Sequence, residues 1–177
     1  MSLDKVTVSV LAPLTLVLGG ARSGKSTYAE ALIESAGGGT YLATAQALDT
    51  EMQDRVRQHR GRRGELWQTV EEPLDVAGEL RKNGDRPVLV DCLTLWLSNM
   101  MAADRDIERE TDTLVSAASE CKAPVVIVSN EVGLGIVPDN ALARAFRDEA
   151  GRVNQQMAAA ANRVVFVAAG LPLIMKG

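Results

Sequence analysis

Leu14-Thr15-Leu16-Val17-Leu18-Gly19-Gly20-Ala21-Arg22-Ser23-Gly24-Lys25-Ser26 joins a short apolar run directly to a glycine-rich turn. The turn, Gly19 to Ser26, fits G-x-x-x-x-G-K-[ST], and its position after an apolar run reads as a strand feeding a phosphate-binding loop. Each residue type has a task in such a loop. Gly19, Gly20 and Gly24, with Ala21, Arg22 and Ser23 between them, let the backbone curl so that its N–H groups point inward at a polyphosphate. Lys25 supplies a cation for the β- and γ-phosphates, and the Ser26 hydroxyl suits Mg²⁺. A helix expected from about Ser26 adds the positive end of its dipole. The segment therefore predicts nucleoside triphosphate binding. Kinases, switches and motors share this motif, so it selects none of them.

The rest of the chain narrows the choice. A length of 177 residues suits one domain with a substantial core. With 46% apolar and 24% charged residues the composition is that of an ordinary globular protein, and with only 3% aromatics the core must be built from aliphatic side chains. A net charge of -4 argues against broad attraction to nucleic acid or to an anionic membrane, and favours a small-molecule substrate. Cys92 and Cys121 lack metal-ligand spacing and read as reduced core thiols of a cytoplasmic protein. The apolar stretch Val6 to Leu18 contains Pro13 and runs into the loop rather than a cleavage site, so it is not read as a signal peptide. Met157 to Met175 is interrupted by Asn162, Arg163, Gly170 and Pro172, which argues against membrane insertion.

From Leu14 onward, strand and helix periods alternate as in βα units around a parallel sheet. Strands are expected at 40–44, 66–70, 88–91, 124–129 and 164–168, with 173–176 as a hairpin partner across the turn at 170–172. Helices are expected at 28–35, 49–63, from Pro73 to about Lys82, at 93–101 and 107–120, and from an Asp139 cap to about Ala161. Residues 1–12 read as an extension preceding a single domain at 13–177.

Four further features bear on chemistry. Asp91 closes the apolar run Val88-Leu89-Val90 and is either a strand-end cap or, given the phosphate loop, the acid that holds Mg²⁺. His59, the only histidine, shares a helical face with Met52 and Val56, as a histidine packed at the edge of a half-buried face would. Around it, Arg55, Arg57, Arg60, Arg62 and Arg63 form either a solvated face or a contact for a phosphate-bearing ligand. Asn130 to Pro138 is either a long connection or a shaped loop at a strand's carboxyl end, where open α/β sheets bind ligands. On the helix that follows, Arg144 and Arg147 either reach phosphate or pair with Asp148 and Glu149.

Taken together, the phosphate loop, Tyr41-Leu42-Ala43-Thr44-Ala45, Asp49-Thr50-Glu51-Met52 leading to His59, Asn130 to Pro138, and Phe146 to Gln155 resemble one family. It is the bifunctional adenosylcobinamide kinase / adenosylcobinamide-phosphate guanylyltransferase of cobalamin biosynthesis, and the resemblance covers residues 14–177. It implies a P-loop NTPase fold: a RecA-like three-layer α/β sandwich with a mostly parallel sheet and a C-terminal antiparallel hairpin. It also implies phosphorylation of adenosylcobinamide with ATP or GTP and Mg²⁺, then transfer of GMP from GTP to adenosylcobinamide phosphate. The GMP passes through a histidine, which corresponds here to His59, with Lys25 serving the phosphates and Ser26 and Asp91 the metal. A homotrimer is the implied assembly. Two other readings remain at this point: an ordinary small-molecule kinase with a structural His59, and a RecA-type regulatory ATPase module.

Overall fold

The computed structural model describes residues 11–46, 64 and 66–177. The expected helix at 49–63, with His59 and its arginines, lies outside the described residues, as does most of the expected extension. In chain order the elements are β1 (Leu14–Gly19), α1 (Lys25–Ser35), β2 (Gly39–Ala43), β3 (Trp67–Glu71), α2 (Val76–Lys82), β4 (Val88–Asp91), α3 (Leu93–Ala102), α4 (Ile107–Glu120), β5 (Val125–Asn130), α5 (Ala141–Ala160), β6 (Arg163–Ala168) and β7 (Leu171–Lys176).

The seven strands form one sheet in the order β3-β2-β4-β5-β1-β6-β7. All neighbouring pairs are parallel except β6 with β7, which run antiparallel. The central strands are continuous apolar runs because both their faces are covered. Leu14, Leu16, Leu18, Val88, Val90, Val125 and Ile127 pack on one side, beneath α2, α3, α4 and α5. Val17, Leu89, Val126 and Val128 pack on the other, with Ala29 and Ile33 of α1. The result is the expected three-layer α/β sandwich with a mostly parallel sheet. Among the described residues no helix is long and apolar enough to cross a membrane.

Several boundaries differ from the sequence expectation. Helix α2 starts at Val76 rather than at Pro73, because the Asp75 side chain accepts the Gly78 N–H and caps it. Helix α5 is capped by Asn140, which accepts from Ala143 N at 2.7 Å, and not by Asp139. Each time two adjacent residues could begin the helix, and the side chain that reaches the third N–H onward decides. The phosphate loop leads into α1 already at Lys25, and β7 begins at Leu171, which places Pro172 inside an edge strand. The turn between β6 and β7 is made by Ala169 and Gly170, both at positive φ, as a tight hairpin requires.

Trp96 is the largest fully buried side chain, and its indole N–H donates to Leu74 O at 3.0 Å, tying α3 to the segment before α2. Trp96→Ala is therefore expected to cost about 3–5 kcal/mol by equilibrium denaturation, and Trp96→Phe distinctly less.

Candidate active site

The phosphate loop leaves the carboxyl end of β1 and folds over it. Gly19 is required by contact: a Cβ there would stand 2.5 Å from both Ser23 Oγ and Val167 O. Gly24 is required by conformation, with φ of +95°, where it caps α1. Within the loop Ser23 N donates to Gly20 O at 3.3 Å, and Lys25 Nζ folds back onto the same carbonyl at 3.1 Å. From outside, Gly170 N in the β6–β7 turn donates to Ser23 O at 2.8 Å, and Glu131 N donates to Gly19 O at 3.1 Å. The loop is thus braced by β1, the hairpin turn and the exit of β5. Lys25 is buried, and Ser23 Oγ is sealed from solvent without a hydrogen-bond partner.

Asp91 lies across β5 from the loop, at the carboxyl end of β4. Tyr41 Oη donates to Asp91 Oδ2 at 2.5 Å, and the Tyr41 ring is held edge-on against Trp67, with centroids 5.8 Å apart. The carboxylate is thereby oriented on the face of the sheet that carries α1. The hydroxyl of Ser26, in the first turn of α1, and the Asp91 carboxylate are hard oxygen donors, the class Mg²⁺ takes. With Ser23 Oγ unpartnered in the loop, the residues present fit an anion with its cation.

Beyond Asp91 the chain makes a cis peptide bond to Cys92 and enters α3. Cys92 N donates to Thr44 Oγ1 and Thr44 Oγ1 donates to Cys92 O, both at 2.8 Å, which ties the exit of β4 to that of β2. Asn99 Nδ2 donates to Thr44 O at 2.8 Å and to Pro73 O at 3.0 Å. Thr94 Oγ1 lies 3.1 Å from Cys92 Sγ and accepts from Asn130 Nδ2 at 2.8 Å. Asn154 of α5 completes the network, accepting from Ser129 Oγ and donating to Asn130 O. Sequence reasoning singles out the Tyr41 and Asn130 segments but assigns Tyr41, Thr94, Asn130 and Asn154 no role. The available signal was that Tyr41, Thr94 and Asn130 are polar residues within or just beyond an apolar strand, whereas Asn154 lies inside α5 and gave none.

The two candidate arginines of α5 resolve differently. Arg147 pairs with Asp148 at 3.0 Å, one of its two expected options. Arg144 instead donates to Pro138 O and Asp139 O, holding the end of the Asn130–Pro138 loop. That loop is open: Leu134, Ile136 and Val137 are exposed, Ile136 almost entirely.

The family model described as cobinamide kinase / cobinamide phosphate guanyltransferase matches residues 15–175. The chain belongs to this family. Among relatives, it is 47% identical to the bifunctional adenosylcobalamin biosynthesis protein CobP of Pseudomonas aeruginosa, over 92% of this chain and 96% of that one. It is 44% identical to the bifunctional adenosylcobalamin biosynthesis protein CobU of Escherichia coli K12, over 92% and 99%. Among solved structures, a Pyrococcus horikoshii OT3 protein is similar at TM-score 0.55 and 8% identity, covering 94% of this chain and 88% of that one. An ATPase from a bacterial type III secretion system is similar at TM-score 0.54 and 10% identity, covering 94% and 59%. These likenesses bear out the fold that the family resemblance implies. Membership in the bifunctional family disfavours both the plain kinase and the regulatory ATPase.

Burial, reinforced by the Asp91 charge, raises the Cys92 thiol above its usual 9.0, against a smaller lowering by its hydrogen bond with Thr94. The unfolded chain gives up this proton at the ordinary value and the folded chain keeps it, so stability is lost as pH rises above that value. Unfolding measured at about pH 7 and about pH 10 should show a smaller loss in Cys92→Ala than in the parent.

Proposed function

We propose that this chain performs both family reactions with one nucleotide site, the loop from Gly19 to Ser26. In the first, the aminopropanol hydroxyl of adenosylcobinamide attacks the γ-phosphorus of ATP or GTP. The new O–P bond replaces the bond to the β-phosphate, the nucleoside diphosphate leaves, and the hydroxyl proton is released. In the second, a nitrogen of His59 attacks the α-phosphorus of GTP and expels pyrophosphate. A phosphate oxygen of adenosylcobinamide phosphate then takes the GMP, breaking the N–P bond and giving adenosylcobinamide-GDP.

The observation that carries this reading is the braced phosphate loop with Asp91 across β5, in a chain whose family match spans nearly its whole length. Inward-facing backbone N–H groups of the loop and Lys25 bind the phosphates and stabilise the charge that develops on transfer. Ser26 and the Tyr41-oriented Asp91 would hold Mg²⁺, which supplies charge neutralisation for the phosphates when bound. Neutral imidazole is a good nucleophile, and its phosphoramidate stays labile enough to pass the group on. His59 is the sole histidine and therefore the only imidazole for that role. The arginines around it would pair with the triphosphate or the leaving pyrophosphate.

We assign residues 13–177 as the single catalytic domain, with 1–12 as an extension, in a cytoplasmic homotrimer. Two exposed apolar surfaces support an assembly: Leu171, Leu173, Ile174 and Met175 on edge strand β7, and Leu134, Ile136, Val137 and Leu142 after β5. Because the β6–β7 turn touches the phosphate loop at Ser23 O, a subunit seated on β7 would lie near the nucleotide.

His59→Ala should lower GMP transfer at least about a hundredfold and leave phosphorylation of adenosylcobinamide within about threefold of the parent. Lys25→Ala should depress both reactions. Separate assays with α- and γ-labelled GTP measure the contrast, and equal loss of both activities in His59→Ala would contradict the covalent role.

A further inference from the structure

Asn130 ends β5, the strand between the phosphate-loop strand β1 and the acid-bearing strand β4. It stands opposite Gly19 in the sheet register, and Asp91 stands opposite Val128, two residues earlier on the same strand. Alternation along β5 directs Val126, Val128 and Asn130 to one side; the two valines pack with Ala29 and Ile33 of α1, the helix that the phosphate loop opens. The residue is held on three counts, one through its side chain and two through the backbone. Its Nδ2 donates to Thr94 Oγ1 at 2.8 Å, its backbone carbonyl accepts from Asn154 Nδ2 at 3.2 Å, and the next residue's N–H is bound to Gly19 O. Yet Oδ1 is sealed from solvent and has no hydrogen-bond partner. A buried carbonyl without a donor is unfavourable, and one held rigidly between two parts of a binding site is positioned for a donor that arrives with the ligand.

The chemistry of that ligand group follows from the atom. A side-chain carbonyl oxygen only accepts, so it does not bond the phosphate oxygens, which are acceptors themselves. No donor among the described residues reaches Oδ1; even the Lys25 ammonium, with its three N–H groups, is turned to Gly20 O. At a centre of phosphate transfer, the donors that ligands bring beside the phosphates are O–H groups.

We propose that Asn130 is a further ligand-contacting residue of the reaction centre, its Oδ1 accepting a hydrogen bond from an O–H group that the ligands bring in. Two sources carry that chemistry: a water on the nucleotide's cation, and the attacking hydroxyl of the alcohol substrate. The inference rests on the triphosphate site proposed above.

Titration of the full-length protein with a fluorescent GTP analogue, with Mg²⁺ and with EDTA, tests it alongside kinase kinetics in the alcohol. If the donor is a cation-bound water, Asn130→Ala weakens Mg²⁺-dependent binding about three- to tenfold, the range of one hydrogen bond, and leaves Mg²⁺-free binding unchanged. If the donor is the attacking hydroxyl, both nucleotide affinities stay at the parent value and kcat/KM for the alcohol falls by a similar factor. A merely structural Asn130 would move both nucleotide affinities together, or the unfolding temperature alone, and either result overturns the proposal, as does parent-like behaviour in every assay. Should Asn130→Ala not fold, Asn130→Ser, whose short side chain does not reach as far, carries the same expectations. Failure of the parent protein to bind the analogue at all would instead overturn the triphosphate site itself.

Discussion

The parallel pairing of β1 with β5 on one side and β6 on the other determines where chemistry can occur in this molecule. A strand bonded on both edges and covered on both faces has a single exit that is free to bind anything, its carboxyl end. The glycine-rich turn sits at that exit, and the close approach of Gly19 to Ser23 and Val167 forces the backbone to curl there. Since β4 and β5 run the same way, Asp91 and Asn130 arrive at the same edge. Convergence of loop, acid and amide is thus a consequence of strand direction and order, with no need for long-range adjustment of side chains.

Around that edge the protein supplies a second layer of polar contacts. Tyr41 orients Asp91, Thr44 clamps the Cys92 backbone, and Thr94 with Asn154 holds Asn130 from two sides. These bonds join residues separated by 24 to 50 positions in the chain. In a low-dielectric setting such a network rigidifies its members when it is satisfied, and the sealed, unpartnered Ser23 Oγ and Asn130 Oδ1 stand out against it. Both belong to the edge where the loop lies, the place a ligand would complete the bonding.

What the sequence revealed and what it hid follow from this division. The central strands were legible as apolar runs because two-sided burial removes polar alternation, and the loop was legible because its glycines and lysine are required at fixed spacing. Helix starts at Val76 and Ala141 were misplaced by one to three residues, since neighbouring residues compete to cap and only geometry decides between them. The partners in the polar bracing were not legible. Nothing in the local pattern of Tyr41 or Thr94 discloses a partner that only the strand order brings near. His59 was reached through family resemblance and its uniqueness, because a lone histidine carries little information by itself.

The site proposed here directs a triphosphate along two routes, the γ-phosphoryl to a hydroxyl and the α-phosphate with its nucleoside to an imidazole. The second route is the central claim, since it separates this reading from the plain kinase and the regulatory ATPase that the same loop would serve. Mass spectrometry of the protein after incubation with GTP and Mg²⁺ tests it most directly. The account predicts a covalent GMP adduct that is acid-labile, base-stable and localised to His59. Unmodified protein under conditions in which GMP transfer proceeds, or an adduct on a different residue, would contradict it.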